Sequence, residues 1–119
     1  RIRIDPVLKR GGIILGEAVA PYVVADSLDK TIENIQEFWV HYGFGEVQAV
    51  STAPLVLDVY KCYECMTLPK GISGGCIISK GMFSALFSAF FRCPVQVKEL
   101  ACMTDGSECC RFEIRPKML

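Results

Sequence analysis

Net charge is the first thing this 119-residue chain lacks: 13 Lys and Arg stand against 13 Asp and Glu, leaving it formally neutral. A duplex-binding protein ordinarily shows a basic excess and a basic patch, so nothing in the composition supports a nucleic-acid partner. No charge-free stretch approaches the ~18–20 residues that a membrane helix needs, so no membrane partner is expected. The longest apolar run, Met82 to Phe91, is bounded by Lys80 and Arg92 and reads as a buried helix. No signal-peptide pattern follows Arg1, which sets a cytoplasmic expectation. Internal repeats and low-complexity segments are missing too. So is a Gly-rich dinucleotide fingerprint, because Gly11-Gly12-Ile13-Ile14-Leu15-Gly16 opens no strand–turn–helix unit. Direct hydride-transfer catalysis by this chain alone is therefore not expected.

What is there is a globular composition, 51% hydrophobic and 22% charged, in a length that suits one domain spanning residues 1–119. Cysteine is the outlying abundance, with seven residues. A secreted disulfide framework usually has an even count in a shorter, loop-rich chain. An odd count among long helix patterns points instead to metal ligands, reactive thiols or buried apolar cysteines.

A first helix opens at Asp5-Pro6, with Pro at the first helical position, and is expected to end at about Ala20, before Pro21. Gly11, Gly12 and Gly16 weaken it and read as sites of close backbone packing. Leu28, Ile32, Ile35, Trp39 and Tyr42 lie on one face of a second helix, started by Asp26 or Ser27 and ended by Gly43. Gly45 to Ser51 and Leu55 to Cys65 read as strands with Pro54 in the turn. Leu68 to Ser73 reads as a loop, and Ser73 as the cap of a third helix from about Gly74 to Phe91, stopped by Pro94. Val95 to Met103 and Glu108 to Arg115 are two more strands, joined by Thr104-Asp105-Gly106-Ser107, a strong hairpin signal. The order α-α-β-β-α-β-β implies an α+β fold, with helices packed on one face of a mainly antiparallel four-stranded sheet.

Cys76, Glu99, Cys102 and Cys110 form the constellation with the most chemistry. A three-residue loop at Asp105 to Ser107 sets Cys102 opposite Cys110, and directly opposed Cβ atoms sit roughly 4.5–5.5 Å apart. Two thiolates on one tetrahedral zinc, each near ~2.3 Å from the metal, need about that separation. Strand alternation turns Cys110, Phe112 and Ile114 to the core and Cys109 away from it. Glu99 and Cys102 have opposite parity, so both reach one metal only if the strand bulges between them. Spacing alone leaves two other readings open. In one, these are buried thiols and a solvated Glu. In the other, Cys62-x2-Cys65 binds a metal with Cys102 and Cys109 or Cys110, although a strand through Tyr63 turns those two thiols to opposite faces.

Gly75-Cys76, Gly81, Val97-Lys98-Glu99-Leu100-Ala101-Cys102, Asp105-Gly106 and Cys110-Arg111-Phe112-Glu113-Ile114 resemble the 4-vinyl-reductase domain family. The resemblance runs from about Gly11 to Ile114, and its specific part is Cys76 to Ile114. The spacing Glu99-x2-Cys102-x7-Cys110, with Cys76 upstream, is similar to the zinc ligands of phenol-responsive bacterial regulators that carry this domain. The resemblance thus implies zinc as the cofactor, held by Cys76, Glu99, Cys102 and Cys110. Such a closed set leaves no position for water or substrate, so the metal is structural. Lys98, Lys80 or Arg111 is expected nearby to offset its negative charge. The fold implied is similar to that of trafficking-complex (TRAPP) subunits.

Cys76, Lys80, Phe83, Phe87 and Phe90 share a face of the third helix, and Gly81, Ala85 and Ser88 form a small-residue stripe. Phe83, Phe87 and Phe90 read either as core packing or, with Trp39 and Tyr60, as the lining of an apolar cavity below the metal, where Trp39 and Tyr60 supply polar tips; the single histidine, His41, is a third candidate tip but reads first as a surface residue beside the helix end. The leading expectation is a zinc-stabilised small-molecule-binding domain, a sensor or carrier for a compact apolar or aromatic ligand. The alternatives are an accessory subunit or enzyme in tetrapyrrole vinyl-group reduction, which the family's name implies, and a homodimeric scaffold.

Overall fold

The computed structural model describes residues 5–67 and 76–117. The elements run α1 (Asp5–Val23), α2 (Leu28–His41), β1 (Glu46–Thr52), β2 (Leu55–Tyr60), α3 (Tyr63–Thr67), α4 (Ile77–Phe91), β3 (Val95–Ala101), a 3₁₀ turn (Met103–Asp105) and β4 (Cys110–Pro116). The four strands form one antiparallel sheet in the order β1-β2-β4-β3. This is the expected α+β architecture with one added helix, the single turn of α3. The expected loop from Leu68 and the Ser73 cap lie outside the described residues. Among those described, no single helix is long and apolar enough to cross a membrane.

α1 does not stop at Ala20 but runs through Pro21 to Val23. Pro21 has no N–H to donate, and its ring crowds the carbonyl of Glu17 four residues back, yet the helix carries on past it. The ladder resumes with Val24 N donating to Ala20 O at 2.9 Å, while buried Val19 and Val23 pin the turn to the core. α2 begins as its sequence predicts: Ser27 Oγ accepts from Lys30 N at 3.1 Å. Ile32, Ile35 and Trp39 are buried and Leu28 is half-buried. Tyr42 departs from the expected stripe. It is the C-cap residue and is 60% exposed. Phe44 takes its place, turned back by Gly43 (φ +76°), so that its N–H reaches Trp39 O at 2.8 Å and its ring meets Trp39 edge-on.

Leu55, Leu57 and Val59 of β2 oppose Ile114, Phe112 and Cys110 of β4, and all six are buried on the helix-covered face. α1 and α4 lie close because glycines meet at the crossing. A Cβ on Gly81 would come within 2.6 Å of Lys9 O, one on Gly16 within 2.8 Å of Met82 O, and one on Gly12 would run into Ile78 O. Gly11 has no such role, since nothing lies within 4 Å of its Cβ position. Gly81→Ala is therefore expected to destabilise by about 1–3 kcal/mol through overpacking. Gly11→Ala should stabilise by about 0.5–1 kcal/mol through helix propensity. Urea midpoints of the two variants check the crossing directly.

Candidate metal centre and ligand cavity

β2 ends at Tyr60, five residues short of the expected strand end, because Lys61 takes a left-handed backbone (φ +52°). The chain then turns into α3, and Cys62, just before its first residue, and Cys65, within it, bring their sulfurs into one group. The opposite-face expectation for this pair is thus overturned. Cys65 Sγ lies 2.8 Å from Cys76 Sγ, 3.4 Å from Cys110 Sγ and 3.6 Å from Cys102 Sγ. Cys62 Sγ lies 3.5 Å from Cys76 Sγ, and Cys76 Sγ 3.0 Å from Cys110 Sγ.

Cys76 is the N-cap residue of α4, one position before the first helical turn, and its side chain makes no capping bond. Glu64 of α3 does that work: its buried carboxylate accepts from Ile78 N at 2.7 Å, Ser79 N at 3.0 Å and Ser79 Oγ at 3.1 Å. Burial raises its pKa, and those same donors oppose the rise. Sequence reading missed Glu64, because this cap comes from 14 residues upstream and local capping patterns reach three.

On β3 the pairing with β4 slips between Glu99 and Ala101. That is the irregularity that the opposite parity of Glu99 and Cys102 demands, and donor atoms of Cys76, Glu99 and Cys102 do lie within 4.8 Å of one another. Cys102 Sγ is 3.9 Å from Cys110 Sγ, and Glu99 Oε2 accepts from Cys76 N at 3.4 Å. Burial raises the Glu99 pKa, offset by that N–H and by Lys80. Of the expected balancing cations only Lys80 faces the cluster. Arg111 lies on the other side of the sheet, clamped onto Asp58 at 2.7 and 2.9 Å, and Lys98 lines a shallow cleft there with Glu113. Cys109 also faces that side, beside Asp58 and Tyr60.

The thiols share very little charge. Hydrogen bonds from Cys110 and Cys76 push Cys62 down to about 2. Cys110 is pushed up to about 12, foremost by its bond to Cys62. Cys76 is raised by its bonds to Cys110 and Cys62, and Cys65 by burial. In a buried cluster without a cation, a second anion beside the first is disfavoured. A divalent cation supplies the opposing charge, so the donor chemistry suits a thiophilic metal.

Next to this cluster lies a cavity of about 230 Å³, walled by Leu15, Trp39, Phe44, Tyr63, Glu64 and Met82 among others. Trp39 is fully buried, and its Nε1–H has no hydrogen-bond partner among the described residues. Of the residues expected to line a pocket, Trp39 does so. Phe83 and Phe87 instead fill the core, Phe83 stacking on Trp39 at 5.1 Å with planes 7° apart. Phe90 is half-buried against Phe91, and Tyr60 is across the sheet beside Cys109. His41 is exposed and meets Tyr42.

Residues 55–116, which carry every cysteine, match the 4-vinyl-reductase domain. The chain belongs to the 4-vinyl-reductase domain family. Two Methanocaldococcus jannaschii proteins, MJ1642 and MJ0745, are each 26% identical to it, over 86 and 87 residues; the matches take in 72% and 71% of this chain. It spans about half the length of these relatives, 53% and 46%. The fold of this 4-vinyl-reductase domain is also that of the phenol-responsive sensory domain of the transcription activator PoxR, solved with phenol (TM-score 0.77, 18% identity, 94% of this chain and 64% of that one). A vinyl-4-reductase family protein from M. jannaschii shares it too (0.70, 14%, 93% and 68%). So does subunit 3 of a trafficking protein particle complex from Naegleria fowleri, covalently bound to palmitic acid (0.67, 16%, 97% and 81%). At these identities the likeness is one of fold. α1 and α2, which supply Leu15 and Trp39 to the cavity, lie outside the matched segment.

Proposed function

We propose that this 4-vinyl-reductase domain is a small-molecule sensor or carrier. Its ligand is a compact apolar or aromatic molecule bearing one hydrogen-bond acceptor, and a structural zinc fixes the cavity wall. The observation that carries the reading is Trp39 at the wall of an apolar cavity, with a buried Nε1–H that has no partner among the described residues. A buried donor without a partner costs about 1–3 kcal/mol, which a ligand's acceptor relieves. An apolar cavity of about 150 Å³ takes up benzene, so about 230 Å³ suits a single substituted ring. A tetrapyrrole is far larger, which counts against the vinyl-reduction alternative. The phenol-responsive PoxR domain, with the same fold, supports the ligand class.

Zinc is favoured over harder cations because the donors are predominantly thiols. The set expected from the family joins Cys76 and Cys110 to Glu99 and Cys102. When bound, the metal would cross-link α4 to the β3–β4 hairpin without opening a reactive position.

Phenol is the first probe. Ligand that binds only the native state stabilises it by RT ln(1 + [L]/Kd), so phenol is expected to raise Tm in a concentration-dependent way. Trp39→Phe keeps a ring but removes the donor. It should lower the shift with phenol more than the shift with toluene. No Tm shift with phenol, toluene or other single-ring aromatics would refute the cavity as a ligand site.

A further inference from the structure

The cluster holds more donors than one tetrahedral metal accepts. Five thiols and one carboxylate converge, whereas zinc takes four ligands. The geometry points to Cys62 and Cys65 completing the set with Cys76 and Cys110, leaving Cys102 and Glu99 as a supporting layer around an all-thiolate centre. This assignment rests on the metal reading proposed above and replaces two of its four ligands.

Three observations carry it. First, the four sulfur atoms of Cys62, Cys65, Cys76 and Cys110 all lie within 4.8 Å of one another. Zinc–sulfur bonds of about 2.3 Å in a tetrahedron put the sulfurs roughly 3.8 Å apart, so small adjustments close the site. Second, Cys62-x2-Cys65 has the spacing of a metal knuckle, and its turn is built without glycine through the left-handed Lys61. Glu64, between the two thiols, ties that turn to the first N–H groups of α4, so the pair is aimed at Cys76 by the protein itself. Third, the other two donors have partners. Cys102 Sγ lies 2.9 Å from Thr104 Oγ1, and Glu99 accepts from Cys76 N with Lys80 nearby.

The assignment ties the metal to the cavity. The turn that would hold it also supplies Tyr63, Glu64 and Thr67 to the cavity wall. A Cys76, Glu99, Cys102, Cys110 set would leave that turn held by Glu64 and not by the metal.

Cobalt(II) loading of the wild-type chain tests this by spectroscopy, because the thiolate-to-cobalt charge-transfer band grows with each coordinating thiolate. A four-thiolate band with tetrahedral ligand-field transitions is expected. Cys65→Ser and Cys62→Ser should each lower it by about a quarter, one ligand in four, and Glu99→Gln and Cys102→Ser should leave it unchanged. A three-thiolate band that survives Cys62→Ser and Cys65→Ser but falls in Cys102→Ser overturns the assignment and keeps the metal centre. Failure of the folded wild-type chain to bind cobalt or zinc overturns both. The wild-type band alone decides between three and four thiolates should any variant fail to fold.

Discussion

Cys110→Ser is expected to empty the proposed metal centre and remove most of the stability of this 4-vinyl-reductase domain. The residue is fully buried on β4, with its sulfur 3.0 Å from that of Cys76 and 3.4 Å from that of Cys65, and Met103 N donates to it at 3.3 Å. The binding energy of a structural zinc is also folding energy, on the order of 10 kcal/mol in favourable cases. A domain's whole stability is only about 5–15 kcal/mol. Cys109→Ser, one residue earlier, should change stability by about 0.5 kcal/mol or less, since that side chain faces the uncovered side of the sheet beside Tyr60 and Asp58. Elemental analysis should give about one zinc per chain for wild type and Cys109→Ser, and none for Cys110→Ser, whose urea transition should lose its cooperativity. Metal retained by Cys110→Ser and released by Cys109→Ser would contradict the register of β4.

Phe83→Ala should be the most damaging change away from the cysteines. Phe83 stacks on Trp39 and meets Phe112 edge-on at 5.4 Å, joining α2, α4 and β4 at the centre of the core. Truncating a buried Phe costs about 3–5 kcal/mol, and an aromatic pair adds about 0.5–1.5 kcal/mol beyond its buried area. Trp39 is the only tryptophan, so its fluorescence reports the stack directly. Urea unfolding followed at Trp39 should show the midpoint falling sharply in Phe83→Ala. An unchanged midpoint would mean that the stack contributes nothing.

The three long helices and the β3–β4 hairpin were legible because their signals are local. Ile32, Ile35 and Trp39 repeat with the helical period, and Asp105-Gly106 marks a turn that the structure builds with Gly106 at φ +95°. The parity conflict between Glu99 and Cys102 was legible as well, and a register slip answers it. What escaped was the segment after Tyr60. Lys61 adopts a left-handed conformation with no glycine to announce it, and α3 has only five residues, too short for a period to show. That turn brings Cys62 and Cys65 to the cluster and Glu64 to α4. The cavity was misplaced for a related reason. Helical spacing identifies Phe83 and Phe87 as inward-facing but is blind to whether they line a space or fill it. Here they fill it, and the space opens instead toward Leu15, Tyr63 and Met82.

A metal-braced cavity that takes up a single aromatic ring is best tested by native mass spectrometry of the zinc-loaded chain with phenol, which counts metal and ligand on the same molecule. The expected spectrum shows a chain carrying one zinc and, as phenol is added, a one-to-one phenol adduct that weakens once a chelator strips the metal. A folded chain that carries no metal and forms no adduct with phenol at any concentration would contradict both the metal centre and the ligand site.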